Sequence, residues 1–368
     1  MKKDSKIFVA GHRGCAGSSI VSELQNNGYS NLVLRTRSEL DLVNQQDVFE
    51  FFKKEKPDVV FLVAVLPCGA SNVAQRADFI YENLSIQNNV IHASYVNDVK
   101  KLIFFGSGYM YPKDAVNPLR EDCMLTGSLE YGAYSFGLAK IAGSVMCESY
   151  NLQYGTNFIT LALNNLYSEN ANFEFEKSRV LPALVRKFHL AKLLQDGRVD
   201  DVLLNLKVNS INEANAILAK HGISKESVEI WGSGRVRREF IHAKDLALAS
   251  IFVMENIDFK DVANKEMQNT HINVGTGVDY SIAEVANMVK DIIGFNGELK
   301  FNISKPDSSM DRLMDCSKIN NLGWKHTIEL HEGIKMMYKA YIVSAGGGAN
   351  NSKIVISSIK QSYYERVA

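Results

Sequence analysis

Three things are scarce in this chain of 368 residues. It has no excess of charge of either sign, since 41 Lys and Arg stand against 41 Asp and Glu. Nucleic acid and anionic bilayers select basic surfaces, so this balance makes no electrostatic case for either as the main partner. Long apolar runs are absent too: none approaches the roughly 20 residues that span a bilayer. The start, Met1-Lys2-Lys3, is basic, but the apolar segment behind it covers only 7–10 and runs into a glycine-rich turn, which reads as a first strand and not a secretion signal. Cysteine is scarce as well. Cys15, Cys68, Cys123, Cys147 and Cys316 are odd in number, scattered and without metal-ligand spacing. That pattern suits reduced thiols in a cytoplasm and implies no metal site. What remains is an ordinary globular composition, 46% hydrophobic, with length for about two domains.

The chain then reads as strands separated by helices. Residues 7–10 lead into Gly11-His12-Arg13-Gly14-Cys15-Ala16-Gly17 and a helical pattern through Ile20, Val21 and Leu24. Gly11, Gly14 and Gly17 at that junction permit a tight turn and close backbone approach to a pyrophosphate at a helix N-terminus. The second strand, 31–34, ends in Arg35-Thr36-Arg37. An acidic residue there would hold ribose hydroxyls, whereas arginine accommodates a 2′-phosphate, so Arg35, Arg37 and Arg13 point to NADPH. Asp41 falls where such folds contact adenine. A helix over 45–54 precedes a strand over 59–65, whose end, Ala64 with residues 66–70, is expected along the cofactor. A long helical pattern through Asn83 and Val90 leads to a strand at 102–105, then Gly106-Ser107-Gly108-Tyr109, then a helix carrying Lys140. Strands alternating with helices imply an α/β fold, a Rossmann-type doubly wound parallel sheet.

After a strand over 158–163 the pattern loosens, as expected of a smaller α+β substrate-binding lobe. The expected division is 1–165 for the NADP-binding domain, with segments near 235–275 returning to it, and 166–342 mainly for the lobe. A charged helical insertion occupies about 193–226, Ser281 caps a later helix, and the tail 343–368 differs abruptly in composition.

Taken together, the runs 11–17, 33–37, 77–83, 140–155, 180–189, 231–242 and 304–307 resemble the GDP-fucose synthase group of extended short-chain dehydrogenase/reductases. The resemblance covers most of 6–341, excluding the helical insertion. It implies an NADPH-dependent enzyme acting on a GDP-4-keto-6-deoxy sugar, and a homodimer. In that group a tyrosine four residues before the lysine exchanges the substrate proton; here the position holds Phe136. The group's epimerase pair, a cysteine and a histidine, is replaced by Tyr109 and Arg179. Arginine stays protonated and an unperturbed tyrosine is a poor base at neutral pH, so epimerisation is not expected.

The resemblance implies that Ser107 hydrogen-bonds the keto oxygen and that Lys140 holds the nicotinamide ribose. Tyr109 is then the first candidate proton donor, Tyr134 the second, and a solvent proton relayed through Ser107 the third. Asn165, Arg179, Trp231, Arg238 and Lys305 are the implied substrate contacts. The expected activity is reduction at carbon 4 without epimerisation, resembling the reductases that make 6-deoxy-heptoses of bacterial capsules. Two alternatives stand beside it: a bifunctional epimerase/reductase with a re-assigned acid and base, and a nucleotide-sugar-binding subunit that has lost catalysis.

Overall fold

A computed structural model describes residues 1–66, 75–264, 266–305, 307 and 312–344. The expected cofactor segment 67–70 and the tail from 345 lie outside the described residues. The chain divides into two compact units, one formed by 1–166, 237–279 and 309–328, the other by 167–236, 280–308 and the chain from 329.

The first unit is built on strand β1 (Ile7–Ala10), all of it buried. Successive side chains of a strand point to opposite faces. Ile7 and Val9 accordingly pack with Ile20 and Leu24 of helix α1 (Cys15–Asn26), while Phe8 and Ala10 belong to a second apolar cluster. That second cluster takes Val33 from β2 (Leu32–Val33), and Val48 and Phe52 from α2 (Gln45–Glu55). Asn44 caps α2, its side chain accepting the backbone N–H of Gln46 at 3.0 Å. The same even–odd division runs through β3 (Val59–Leu62), which α3 (Arg76–Val96) connects to β4 (Lys101–Phe105). Helix α4 (Tyr134–Tyr154) follows, then β5 (Phe158–Leu163) and β6 (Asn165–Tyr167).

The chain continues with α5 (Val180–Gln195), α6 (Val199–Leu206), α7 (Ile211–Lys220) and β7 (Ser227–Trp231) in the second unit. It returns to the first with β8 (Arg237–His242), α8 (Ala243–Asn256), α9 (Phe259–Val262) and β9 (Ile272–Val274). After β10 (Asp279–Ser281) come α10 (Ile282–Ile293), β11 (Glu298–Asn302), α11 (Ser317–Asn321) and α12 (Leu330–Ser344).

The main sheet has the order β2-β1-β3-β4-β5-β9 and is parallel at every pairing. From β1 the chain passes to β2 on one side and to β3 on the other, so the topological switch lies between β1 and β3, where open α/β sheets bind ligands beyond their strand ends. Strand β3 is shorter than its apolar run suggests. The N–H groups of Val63 and Ala64 both donate to the Ala10 carbonyl, at 3.0 and 2.8 Å, which ends the ladder at that switch.

In the second unit β7 pairs with β11 in parallel, and Phe188 of α5 meets Phe295 with ring centroids 5.9 Å apart. The helical insertion is the pair α6 and α7, tied down by Arg186. Its guanidinium donates to the Asn205 carbonyl and to the Phe173 carbonyl, both at 3.1 Å. Helix α10 begins with Ser281 and Glu284 capping each other's backbone N–H, at 3.1 and 2.7 Å. Among the described residues no helix is long and apolar enough to cross a membrane. Nor does any group of three or more His, Cys, Asp or Glu among them stand where it could hold a metal ion.

Candidate active site

The crevice at the β1/β3 switch is bounded by backbone. Gly11 has φ +90°, and a Cβ there would stand 2.7 Å from the Ala64 nitrogen, while a Cβ on Gly17 would strike the Gly11 carbonyl. Helix α1 starts at Gly14 with no side-chain cap and no acidic residue in its first turn, so its leading N–H groups suit an anion. Nearby, His12 Nδ1 is buried with no hydrogen-bond partner among the described residues. Arg13 is exposed. These features fit a dinucleotide pyrophosphate.

The arginines after β2 divide. Arg37 is exposed and lies 3.2 Å from Glu82 and 3.6 Å from Asp41. Arg35 is instead held by α2, its Nη2 3.0 Å from Glu55 Oε1 and its guanidinium carbon 5.7 Å from the Phe51 ring centre. The structure therefore brings Arg37 and Asp41 together, while Arg35 serves an ion pair twenty residues away in sequence.

The β4 end turns through a short 3₁₀ segment, Gly108–Met110, with Ser107 Oγ accepting the Tyr109 N–H at 3.3 Å. The Ser107 hydroxyl proton is left free to donate. Helix α4 comes close here, and a Cβ on Gly137 would collide with the Tyr109 carbonyl. That approach sets the Phe136 ring against Tyr109, and one turn on it brings in Lys140. Lys140 is 5% exposed and its Nζ lies 4.7 Å over the Phe104 ring. No acid pairs with it among the described residues, and burial depresses its ammonium to about 7. Tyr134 opens α4 and is 47% exposed, with no ring contact to Tyr109 or Phe136 among the described residues.

Two further residues of the same unit complete this region, and neither stands out in the sequence. Arg312 is 7% exposed. It donates through Nη1 to the Gly108 carbonyl at 2.6 Å, and its guanidinium carbon lies 4.9 Å over the Tyr109 ring. Glu239, fully buried in β8, accepts N–H groups from Thr276 at 2.7 Å, Gly277 at 2.8 Å and Met314 at 3.1 Å, and the Asn164 amide at 2.9 Å. Burial pushes its carboxyl up, and these donors oppose the shift. A lone basic residue and an acid within a strand carry no local signal of such roles, because their partners come from distant segments.

The expected substrate contacts fall in both units. In the first, the Asn165 amide donates to the Glu239 carbonyl at 2.9 Å, and Arg238 Nη1 to the Arg237 carbonyl at 2.6 Å. In the second, Trp231 is 62% exposed with Lys305 Nζ 5.2 Å from its ring centre, and Arg179 stands exposed before α5.

Residues 7–275 match the family described as "NAD dependent epimerase/dehydratase family". Over 341 residues the chain is 42% identical to the GDP-L-fucose synthase 1 of Arabidopsis thaliana, covering 92% of this chain and 94% of that protein. It is 66% identical to a GDP-D-glycero-L-gluco-heptose synthase from Campylobacter jejuni, whose crystal structure was determined with NADPH (TM-score 0.89, covering 94% of this chain and 99% of that one). It is 68% identical to a GDP-6-OMe-4-keto-L-xylo-heptose reductase from C. jejuni (TM-score 0.89, covering 93% and 99%).

Proposed function

The chain belongs to the NAD dependent epimerase/dehydratase family, and from that premise we propose that it is an NADPH-dependent reductase acting at carbon 4 of a GDP-4-keto-6-deoxy-heptose. The observation that carries this reading is identity of about two thirds, over nearly the whole chain, to two C. jejuni enzymes named for GDP-heptose chemistry. The site residues agree with it: a hydroxyl, a phenol and a buried ammonium gather at the C-terminal ends of the strands.

Gly11, Gly14, Gly17 and Ala64 would hold the cofactor's pyrophosphate, with Arg13 and Arg37 at the 2′-phosphate and Lys140 at the nicotinamide ribose. Bound there, NADPH supplies the hydride that adds to carbon 4. The Ser107 hydroxyl donates to the keto oxygen and keeps it oriented. Tyr109 gives its phenolic proton to that oxygen as the negative charge develops, and water returns a proton to Tyr109 afterwards. Lys140, as the ammonium, steadies the same charge, and a preorganised donor of this kind contributes on the order of 10²–10³ in rate. Phe136 has no proton to give and packs beside Tyr109. With Tyr109 and Arg179 at the two epimerase positions, the carbons flanking the ketone keep their configuration. Within the first unit, Asn165 and Arg238 would contact the GDP-sugar.

We extend the proposal to a homodimer placed in the cytoplasm and serving surface-polysaccharide synthesis. Supporting the dimer, Leu138, Val145 and Leu152 recur at heptad spacing on α4 and are 36%, 38% and 46% exposed. Val145→Glu should convert a dimer to a monomer in light scattering.

The activity is tested by incubating the protein with GDP-4-keto-6-deoxy-heptose and NADPH and following nicotinamide absorbance, with the corresponding mannose derivative in parallel. Faster oxidation with the heptose is the expected result. Oxidation with neither sugar would leave a binding subunit as the better account.

A further inference from the structure

Arg312 is a buried cation with more donors than partners. Its Nη1 is used by the Gly108 carbonyl, yet Nε and Nη2 are buried with no acceptor among the described residues. Glu130 stands 3.7 Å from Nη2, too far for a hydrogen bond. Buried donors left without acceptors weigh against folding, which points to a role at the site for this position. What the guanidinium does face is the Tyr109 ring, 4.9 Å from its central carbon. The Phe136 ring also packs against Tyr109, edge to face. Backbone pairing of Arg312 with Arg238, in register with β8, fixes where the side chain begins.

We propose that Arg312 is a positioning residue for Tyr109. It clamps the turn that carries the tyrosine and places a fixed positive charge over the ring from which the proton leaves. As the proton passes from the phenolic oxygen to the alkoxide on carbon 4, negative charge grows on the Tyr109 ring, and a cation already held above that ring stabilises it without reorganisation. The inference rests on Tyr109 as the proton donor and goes beyond it.

The test is a double-mutant cycle on the full chain, with NADPH and the keto-sugar, using Arg312→Gln, Arg312→Lys and Tyr109→Phe. Arg312→Gln keeps an N–H for Gly108 but removes the charge, and should lower kcat tenfold or more while the KM for NADPH moves less than twofold. Arg312→Lys keeps the charge and should retain at least threefold more kcat than the glutamine variant, which a purely structural clamp would not produce. In the Tyr109→Phe background, Arg312→Gln should cost less than twofold, because nothing remains for it to act through. Equal losses in both backgrounds, or glutamine equal to lysine, overturn the proposal, as does a failure of either Arg312 variant to bind NADPH. Wild-type turnover in Tyr109→Phe alone would instead remove the donor assignment on which the proposal stands.

Discussion

The Tyr109 and Phe136 rings meet edge to face, their planes at 84° and their centroids 6.2 Å apart. The position at which the family resemblance implies a proton donor is thus filled by a hydrocarbon ring packed against a different phenol. That geometry favours offset, edge-on aromatic contact, worth about 0.5–1.5 kcal/mol beyond area burial. Tyr109→Phe should lower turnover by roughly 10²-fold or more, the scale of general acid catalysis, with NADPH binding intact. Tyr134→Phe should cost little. Adding Phe136→Tyr to the Tyr109→Phe variant should recover at least tenfold of the lost rate. A collapse in Tyr134→Phe with Tyr109→Phe unharmed would move the donor to the start of α4.

Lys140 carries a pH signature. Its ammonium persists in the folded free enzyme only to about 7, whereas an unfolded lysine holds its proton to about 10.5. The charged form that the proposed mechanism uses is therefore lost as pH rises through about 7, and kcat/KM should fall on that side. The same burial makes the folded state less stable at low pH, a cost that disappears between about 7 and 10.5. Lys140→Met should accordingly lose on the order of 10²-fold in rate and raise the melting temperature, more at pH 6 than at pH 9. A melting temperature that drops at both pH values would contradict this.

Cofactor choice separates the two arginines after β2. Arg37→Ala should weaken NADPH roughly tenfold or more, the scale of a charge-assisted hydrogen bond, and NADH much less. Arg35→Ala should leave that ratio nearly unchanged, because its guanidinium is already engaged by Glu55. Titration by nicotinamide fluorescence measures both, and equal use of NADPH and NADH by the wild-type protein would refute the assignment.

Turnover in deuterated water provides a separate check on the Tyr109 and Arg179 replacements. The carbons flanking the ketone should stay unlabelled above the no-enzyme background. Enzyme-dependent label there would reveal another acid–base pair.

Much of the first unit could be read from local pattern. Residues 158–163 form a strand with the expected limits, and the helix expected at 45–54 closes one residue later. Period-two burial and capping residues such as Ser281 are properties of neighbours in sequence, so a linear reading recovers them. The strand expected at 59–65 stops at Leu62 because Val63 and Ala64 share one carbonyl of β1, which is a relation between strands. Arg312 and Glu239 escaped for the same reason. The Arg312–Gly108 bond joins residues 204 apart, and Glu239 gathers donors from three separate segments. The Glu55 partner of Arg35 lies on α2, twenty residues away, and is likewise a relation that no local pattern carries.

The tight approach of Gly11 to Ala64 has a consequence for how this protein can change. Where main chain touches main chain, no side chain is present to be exchanged, and any replacement of Gly11 drives a Cβ into the Ala64 backbone. The floor of the crevice is therefore closed to gradual variation. On the proposed reading, divergence in cofactor preference is written at its margin, where Arg13 and Arg37 are exposed.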